Sequence, residues 1–374
     1  MKLDVSLIVP VYNVASYIDR FLESVDRQGA CGKGVALEVV LVDDGSTDGS
    51  GGRCDEYALK HGLLSVKVIH QINAGAAAAR NIGLKEACGD YVMFADPDDY
   101  LEDDYVEKAF RKICDSGCDI VMFNGFRDFE QEDGSTRVEN WDHGMKEYYT
   151  ESREYMISMQ CGTLYSYLAP VSSDISIAAP WDKIYRKNFL VENDLYFPSA
   201  LKVLDDMVFN FECLAKATKI GFFTDRLYHY CIHKGENSSI TNRYKPDRVE
   251  QDMAVFAYLQ DKIYKEKVES HLSTKEIKEK LQTLDDAFSA RVIKSYAICC
   301  RLCFFNKENF GGNLLKQKGQ ARKYMSEGIY QSAFRNVKWK SLEWKLKFVR
   351  LSGLLKMPEL LHLLYVLQSA VQNK

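Results

Sequence analysis

The sequence has no long apolar run and no leader-like start. No window reaches the roughly 18 uninterrupted apolar residues of a membrane-spanning helix. The first residues, Met1 to Asp4, lack a charged segment followed by an apolar one, so we expect no secretory signal. Hydrophobic residues make up 46% of the 374 positions, which is ample for a packed core. A soluble globular protein is therefore predicted.

The chain also lacks a regular cysteine framework. Its eleven cysteines are an odd number with irregular spacing, which favours reduced thiols in a cytoplasm over a set of disulfides. Cys300 and Cys303 form a single C-x-x-C pair, and no second pair completes a zinc-binding quartet. We therefore expect these two cysteines to be buried or incidental thiols.

The two ends of the chain differ in charge. Residues 1–250 contain 27 basic and 41 acidic residues, a net charge of −14, whereas residues 251–374 contain 22 and 12, a net charge of +10. Such asymmetry indicates that the two parts face different partners. Because no segment resembles a nucleic-acid-binding module, we expect no nucleic-acid partner.

The stretch from Tyr91 to Asp99 organises the sequence. Five apolar residues predict a buried strand, and Asp96, Asp98 and Asp99 follow where Pro97 ends that strand. Three neighbouring carboxylates repel one another unless water or a cation neutralises them, and Mg²⁺ or Mn²⁺ suits such oxygen ligands. The alternative is a solvated acidic turn that caps the next helix.

Strands and helices alternate over the first hundred residues. The predicted strands are Val5–Val11, Leu37–Val42, Val66–Ile69 and the stretch that begins at Tyr91, and a helix is predicted after each of the first three. This alternation predicts an α/β fold with a mostly parallel sheet and helices on both faces. Beyond residue 105 we expect a further helix, a strand at Ile120–Phe123 and a hairpin turn at Glu132–Ser135.

Each predicted strand delivers polar residues to the same edge of the sheet, where open α/β sheets bind ligands. Asp43 or Asp44 could accept hydrogen bonds from a ribose or a base, and Arg80 and Asn81 could reach a phosphate or a ribose. The alternatives are a helix-capping turn for Asp44 and a surface salt bridge for Arg80.

Four motifs in this region resemble those of the family 2 glycosyltransferases. They are Ser6-Leu-Ile-Val-Pro10-Val-Tyr-Asn13, Val42-Asp-Asp-Gly-Ser-Thr-Asp-Gly-Ser50, Asn73-Ala-Gly75 with Ala79-Arg-Asn-Ile-Gly83, and Asp96-Pro-Asp-Asp99. The resemblance is dense over residues 4 to about 105. It implies a GT-A fold, a nucleotide-sugar donor, a divalent metal ion held by a D-x-D type motif, and inversion at the anomeric carbon.

The resemblance also implies roles for individual residues. Pro10 and Tyr12 line the nucleotide site, Asp44 contacts the nucleoside, and Asp96 with Asp98 matches the metal-binding motif. Asp99 leaves the register of that motif open, so all three acids are candidate ligands of Mn²⁺ or Mg²⁺. The remaining candidate donor-binding residues of these motifs are Asn13, Asp43, Asn73 and Arg80.

A second cluster resembles bacterial polysaccharide-building members of the same family. The stretch Ala179–Arg186, which contains Trp181, resembles P-W-x-K-x-Y-x-R, and the acidic pair that commonly follows is Asp205-Asp206 here. The resemblance makes Trp181 and Asp205 candidate substrate contacts. An inverting transfer needs a base for the acceptor hydroxyl, and we assign that role to Asp206. The alternative is an acidic residue favoured by the dipole at a helix start.

A basic contact to the diphosphate is expected after this helix. The stretch Tyr228–Lys234, followed by Ser238–Thr241, resembles the region that supplies it, although Ile232 and His233 depart from the usual arginine-rich form. His233 or Lys234 could take the role, and a structural histidine is the alternative for His233.

The C-terminal part is predicted to be helical and basic. From Arg335 to Lys356 there are seven basic residues against Glu343 alone, with Trp339 and Trp344 among them. This pattern suits a helix on an anionic membrane surface or, alternatively, a helical subdomain that packs its apolar face on the catalytic domain or forms an oligomer contact. We therefore predict a transferase domain at 1–245 and a helical region at 246–374.

The predicted function is an inverting, metal-dependent glycosyltransferase of bacterial surface polysaccharide synthesis. The donor would be a UDP-sugar and the acceptor a glycan or a lipid-linked saccharide, at the inner face of the cytoplasmic membrane. One rival is a nucleotidyltransferase, which usually has a Gly-rich, Lys- or Arg-bearing loop where this chain has Tyr12-Asn13-Val14. The other is a non-catalytic sugar-binding protein.

Overall fold

The computed structural model describes residues 3–31, 34–60, 65–131, 133–172, 176–233, 244–269 and 274–363. The chain forms two compact units. The first unit comprises Met1–Met156 and Asp174–Asn237, and the second comprises Ile157–Ser173 and Ser238–Lys374.

The first unit contains one mixed β-sheet. Its strands in the described residues are β1 (Val5–Val11), β2 (Leu37–Asp43), β3 (Ser65–His70), β4 (Tyr91–Phe94), β5 (Tyr100–Leu101), β6 (Ile120–Glu130), β7 (Thr136–Trp141), β8 (Tyr148–Thr150), β9 (Lys183–Arg186) and β10 (Ile220–Ile232). The order is β3-β2-β1-β4-β9-β6-β10-β5, with β7 beside β6 and β8 beside β10. Strands β1 to β4 pair in parallel, as do β6 and β10, whereas β9 runs antiparallel to both of its neighbours.

Helices follow most of these strands. Those of the first unit are α1 (Ile18–Cys31), α2 (Ser50–Lys60), α3 (Ala76–Glu86), α4 (Tyr105–Ser116), α6 (Lys187–Glu192) and α7 (Asp205–Lys216). Helix α5 (Arg153–Leu164) begins in the first unit and continues into the second. The second unit also contains α8 (Arg248–Glu269), α9 (Lys275–Cys299), α10 (Leu314–Met325), α11 (Gly328–Asn336) and α12 (Trp344–Leu355).

The alternation of side chains along β1 explains why helices cover both faces of the sheet. Leu7 and Val9 are fully buried in a core cluster that includes Phe21 of α1. Ile8 points to the opposite face, because a Cβ atom added at Gly83 of α3 would overlap its Cγ2 atom. The absence of a side chain at Gly83 therefore allows α3 to approach the sheet closely.

The predicted fold class is confirmed. The structure has a mostly parallel mixed sheet with helices on both faces, followed by a helical C-terminal region. The predicted hairpin is formed by β6 and β7, although Glu132 lies outside the described residues. The sequence did not predict that β9 inserts antiparallel between β4 and β6. The boundary at residue 245 and the roles given to its two sides stay predictions.

The second unit is built of helices in the part of the chain that the structure describes. Cys300 and Cys303 are buried there as free thiols, as expected. None of the helices in the described residues combines the length and the apolar character of a membrane span.

Gly83→Ala tests the close approach of α3 to β1. Alanine favours a helix over glycine by about 1 kcal/mol, but the added methyl group enters a packed core, which costs about 1–3 kcal/mol. We expect a net loss in the free energy of unfolding, measured by urea denaturation. Gly52→Ala in α2 is the control, because a Cβ atom there meets no heavy atom within 4 Å. A midpoint raised equally by both substitutions would contradict the close approach.

Candidate active site

The ends of three parallel strands lie side by side. Val11 at the end of β1 is opposite Asp43 at the end of β2, and the Asp44 N–H donates to the Val11 carbonyl at 2.8 Å. On the other side of β1, the Ala95 N–H donates to the Ile8 carbonyl at 3.1 Å. The polar residues that follow β1, β2 and β4 therefore share one edge of the sheet, as parallel pairing predicts.

Asp44 holds the segment that leads into α3. Its buried carboxylate accepts hydrogen bonds from the backbone N–H groups of Ala74 at 2.7 Å and Gly75 at 2.8 Å, and from the Gln71 side chain. These bonds fix the loop between β3 and α3. A nucleoside contact by Asp44 stays a prediction.

Asp43 and Asn13 connect the ends of β1 and β2. Asp43 accepts from the Ser46 N–H at 3.0 Å and lies 2.8 Å from His70 Nδ1. Burial would raise the pKa of Asp43, but the hydrogen bonds with Ser46 and His70 lower it below its ordinary value. Asn13 has a left-handed backbone with φ of 51°, and its side-chain oxygen accepts from the Thr47 N–H at 2.8 Å.

The other predicted nucleotide-site residues differ in exposure. Pro10 is buried within β1, in register with Val42 of β2. Tyr12 is 46% exposed, and Asn73 is also exposed. Tyr12 and Asn73 are therefore accessible at this edge, whereas Pro10 shapes it from within the sheet.

Arg80 is a buried cation between two carboxylates from distant parts of the sequence. Its Nη2 atom lies 2.7 Å from Asp96 Oδ1, and its Nη1 atom lies 3.5 Å from Asp205 Oδ2. The guanidinium also lies over the Phe197 ring, 5.3 Å from its centroid. Burial would lower the pKa of Arg80, but the charges of Asp96 and Asp205 raise it. Arg80 thus joins the end of β4 to the start of α7 and is not a surface salt bridge.

Two further contacts position α7. Tyr185 of β9 donates from its hydroxyl to the Asn210 side-chain oxygen at 2.7 Å, and Asn210 donates to the Ala178 carbonyl at 2.7 Å.

The Asn81 side chain pairs with the backbone N–H and carbonyl of Phe197 at 2.8 and 2.7 Å. The Asn81 amide is therefore engaged by the Phe197 backbone, and a phosphate or ribose contact by Asn81 stays a prediction.

Asp206 lies in the first turn of α7. Its carboxylate accepts from the Met207 N–H at 2.7 Å, and burial together with the adjacent charge of Asp205 raises the pKa of Asp206 to about 6. The pair Asp205-Asp206 directly follows Leu204, whose backbone is left-handed with a φ of 58°. A non-glycine residue in this conformation is uncommon and is typical of functional sites. Asp206 can therefore exchange a proton near neutral pH.

Asp99 is buried and engaged by the protein. Its Oδ2 atom accepts from the Tyr228 hydroxyl at 2.7 Å, and its Oδ1 atom accepts from the Cys231 N–H at 2.7 Å. The Tyr228 oxygen in turn accepts from the Asp96 N–H at 3.0 Å. Burial and the charge of Asp98 raise the pKa of Asp99 well above its ordinary value. Asp99 thus fixes the acidic turn to β10.

Asp98 is the acid of this turn that faces basic side chains. Its backbone carbonyl accepts from Arg20 at 3.0 Å. Burial and the charge of Asp96 raise the pKa of Asp98, while the charges of His233 and Arg20 oppose that shift. The positive charges of His233 and Arg20 therefore do not fully offset the effects of burial and of Asp96 on the pKa of Asp98.

The donor set fits a cation that a ligand helps to hold. Within the described residues, no group of three or more His, Cys, Asp or Glu side chains is arranged to hold a metal ion by itself. Mg²⁺ is commonly held by one or two carboxylates together with waters and substrate phosphates. Asp96 and Asp98 match that arrangement, and Asp99, whose two oxygens already accept hydrogen bonds, matches it less well.

A polar cavity of about 190 Å³ lies beside this turn. It is lined by Tyr17, Arg20, Asp128, Glu130, Gly134, Thr136, Cys231, Ile232 and His233. The His233 ring packs on Tyr17 with centroids 4.0 Å apart, and its Nδ1 atom lies 3.5 Å from Glu130. Lys234 and residues 238–241 lie outside the described residues, so the basic contact predicted for Lys234 stays a prediction.

The structure places Trp181 in the core behind the acidic turn. It is 4% exposed and stacks on Tyr228 with ring centroids 4.5 Å apart. The next residues, Asp182 and Lys183, form a buried ion pair, and His143 Nε2 lies 3.0 Å from Asp182. Trp181 therefore supports Tyr228, and a direct substrate contact by Trp181 stays a prediction.

Sequence reasoning assigned no role to Tyr228 or to the neighbouring His229. The His229 ring is stacked between Tyr100 and Phe126, and its two nitrogens contact Glu102 at 2.8 Å and Asp128 at 3.1 Å. The sequence does place a tyrosine and a histidine side by side in a largely apolar strand. This pattern indicates internal hydrogen bonds, because buried tyrosine and histidine require hydrogen-bond partners. That signal does not identify the partners.

Comparisons with known proteins identify the family of the chain. The family model described as "Glycosyl transferase family 2" matches residues 6–175. EpsH of Bacillus subtilis is 32% identical over 276 residues, which are 72% of this chain and 73% of EpsH. The poly(ribitol-phosphate) β-N-acetylglucosaminyltransferase TarS of Staphylococcus aureus is 28% identical over 235 residues, 63% of this chain and 36% of TarS.

A solved structure shares the fold. The crystal structure of S. aureus TarS 1–349 in complex with UDP-GlcNAc has a TM-score of 0.62 at 22% identity and covers 96% of this chain and 89% of that one. The first unit therefore has the GT-A fold that its motifs imply. The match to EpsH, together with the match to the family model, shows that the chain belongs to glycosyl transferase family 2 and is a glycosyltransferase.

Proposed function

We propose that the protein transfers a sugar from a UDP-sugar to a hydroxyl of a glycan or a lipid-linked saccharide, with inversion, in the synthesis of a bacterial surface polysaccharide. The observation that carries the proposal is the link between Asp206 and the acidic turn. Arg80 joins Asp96 to Asp205, the residue next to Asp206. A base and a candidate cation site thus lie at one edge of the sheet.

The proposed step begins with Asp206. Its carboxylate accepts the proton of the acceptor hydroxyl, whose oxygen attacks the anomeric carbon of the donor sugar. The bond from that carbon to the diphosphate oxygen breaks, and its electron pair leaves with UDP. Attack from the side opposite the leaving group inverts the anomeric carbon. The products are a glycoside, UDP and a protonated Asp206.

The acidic turn would serve the leaving group. Asp96 and Asp98 would hold Mn²⁺ or Mg²⁺, which when bound supplies positive charge to the departing diphosphate. His233, and Lys234 beyond it, would contribute further positive charge. Asp99 keeps the turn fixed to β10 through Tyr228 and Cys231.

The donor would lie along the ends of β1 and β2. Tyr12 is accessible there, and Asn13, Asp43 and Asp44 hold the surrounding loops in place. TarS, which shares this fold, has been crystallised with UDP-GlcNAc, and this supports a UDP-linked donor. A panel of nucleotide sugars assayed for UDP release tests the proposal, because a binding protein releases no UDP from them. A nucleotidyltransferase releases none either, since it forms nucleotide sugars from a nucleoside triphosphate and liberates pyrophosphate in that reaction.

Asp206→Asn should abolish transfer while leaving donor binding nearly unchanged. A general base typically contributes about 10²–10⁴-fold to the rate, and the amide cannot accept the proton. The measurements are UDP release with acceptor present and calorimetric affinity for the UDP-sugar. Asp115→Asn, at an exposed position of α4, is the matched control. Undiminished turnover in Asp206→Asn would remove Asp206 from the mechanism.

The rate should depend on pH through Asp206. Because the base acts in its ionised form and its pKa in the unliganded protein is raised to about 6, kcat/KM should fall about tenfold per pH unit below that value and level off above it. Measuring kcat/KM at low donor and acceptor concentrations between about pH 5 and pH 8 checks the sign. A rate that rises as pH falls through this range would contradict the assignment.

Metal dependence should separate Asp98 from Asp99. We expect Mn²⁺ to strengthen UDP binding, EDTA to reverse this, and Asp98→Asn to remove the metal-dependent gain. Asp99→Asn should retain that gain, since both Asp99 oxygens serve the fold. Calorimetric titration of UDP with and without metal measures both variants. Equal affinity with Mn²⁺ and with EDTA in the unmodified protein would count against a metal at this turn.

A further inference from the structure

Helix α12 in the second unit is apolar on two sides. Leu346, Val349 and Gly353 are buried on one side. A Cβ atom added at Gly353 would overlap the Phe334 ring of α11, so this side packs closely against its neighbour. The buried side accounts for the helix as part of a folded core, and the second apolar side needs another explanation.

The second side carries large exposed hydrophobic residues. Trp344, Leu351 and Leu355 are spaced by seven and four residues, which places them on one stripe of the helix. They are 68%, 43% and 54% exposed, and Leu354 beside them is 45% exposed. Trp339, in the short turn before α12, is 50% exposed. Single exposed hydrophobic residues are normal, but several on one stripe of a helix indicate an interaction surface.

Positive charge surrounds this group. Lys347 and Arg350 lie 5.8 and 5.7 Å from the Trp339 ring centroid, and Lys345 lies 5.8 Å from that of Trp344. We call the five exposed hydrophobic residues and the neighbouring cations the basic-aromatic face. The cations of the segment are Arg335, Lys338, Lys340, Lys345, Lys347, Arg350 and Lys356, against the single acid Glu343.

We propose that the basic-aromatic face binds the surface of an anionic lipid bilayer. Tryptophan suits the boundary between head groups and acyl chains, because its ring is apolar and its N–H is polar. Leucines on the same stripe can enter the acyl region, and lysine and arginine beside them attract anionic head groups. The chain would lie on the membrane through this face without crossing it. The proposal does not rest on the proposed function, since binding can be measured without a sugar donor.

Charge distinguishes this partner from a second copy of the chain. A symmetric dimer through the same face would bring two sets of cations together, and like charges at an interface are unfavourable. An anionic bilayer satisfies both the charge and the exposed apolar area. The charged and apolar contributions to bilayer binding should respond differently to salt. Salt screens the attraction between charges and leaves the apolar contribution largely unchanged.

The test is co-sedimentation of the full chain with vesicles. Vesicles of phosphatidylcholine alone are compared with vesicles of phosphatidylcholine and phosphatidylglycerol, at low and high salt. We expect binding to the anionic vesicles that weakens as salt rises, and at least tenfold weaker binding to the neutral ones. Equal binding to both vesicle types, or to neither, would overturn the proposal.

Two variants separate the apolar and charged components. Trp344→Ser with Leu351→Ser removes exposed apolar area, and Lys345→Glu with Lys347→Glu reverses charge; each should weaken binding to anionic vesicles at least tenfold. The controls are Leu315→Ser, at a residue 83% exposed on α10, and Lys278→Glu, at an exposed position of α9. Circular dichroism checks folding. Binding retained in both double variants, or lost equally in the controls, would contradict the assignment.

Light scattering on the unmodified chain and on the Trp344→Ser, Leu351→Ser variant completes the experiment. We expect the same oligomeric state in both. An assembly that dissociates in the variant would overturn the proposal and assign the face to a contact between copies.

Discussion

The first unit depends on one buried guanidinium. Arg80 extends from α3, contacts Asp96 at the end of β4, and reaches Asp205 at the start of α7. Removing one partner of a buried ion pair typically costs several kcal/mol, because the remaining charge is left without compensation in a poorly solvated place. The same cation also sets the electrostatics of the edge, since the carboxylates around it outnumber it. The proposed donor carries a negatively charged diphosphate, and this excess of carboxylates is the reason why we propose a cation beside it.

Acids that are neighbours in sequence have different physical roles here. The carboxylate of Asp44 accepts three hydrogen bonds from one loop, and that of Asp99 accepts two from β10. Asp98 differs from Asp99 in its hydrogen-bond partners and not in the direction of its pKa shift, because burial and a neighbouring aspartate raise the pKa of both. An acid that is saturated with protein donors holds the fold, whereas one that is short of them can serve a ligand. The hydrogen-bond partners of an acid, and not its position in the sequence, therefore indicate whether it holds the fold or can serve a ligand.

The sequence was informative where the determinants are local. Runs of β-branched residues predicted β1 and β2, and the proline after Asp96 predicted where β4 ends. Contacts between distant residues were beyond it, as with β9 between β4 and β6, or Tyr228 between Asp96 and Asp99. Trp181 is a further example, because its motif did not reveal that its ring stacks on Tyr228 in the core. The periodicity of hydrophobic residues predicts which residues are buried, but not which residues they contact.

The left-handed backbone at Leu204 has a consequence for engineering. A residue with a Cβ atom in this conformation carries about 1–2 kcal/mol of strain, which glycine would relieve. Screens that select only for thermal tolerance would therefore favour glycine at position 204. Glycine at this position would make the backbone before α7 more flexible. Asp205 and Asp206 would then be held less firmly in one orientation. We therefore expect glycine at position 204 to raise thermal stability and to lower the rate of the proposed transfer.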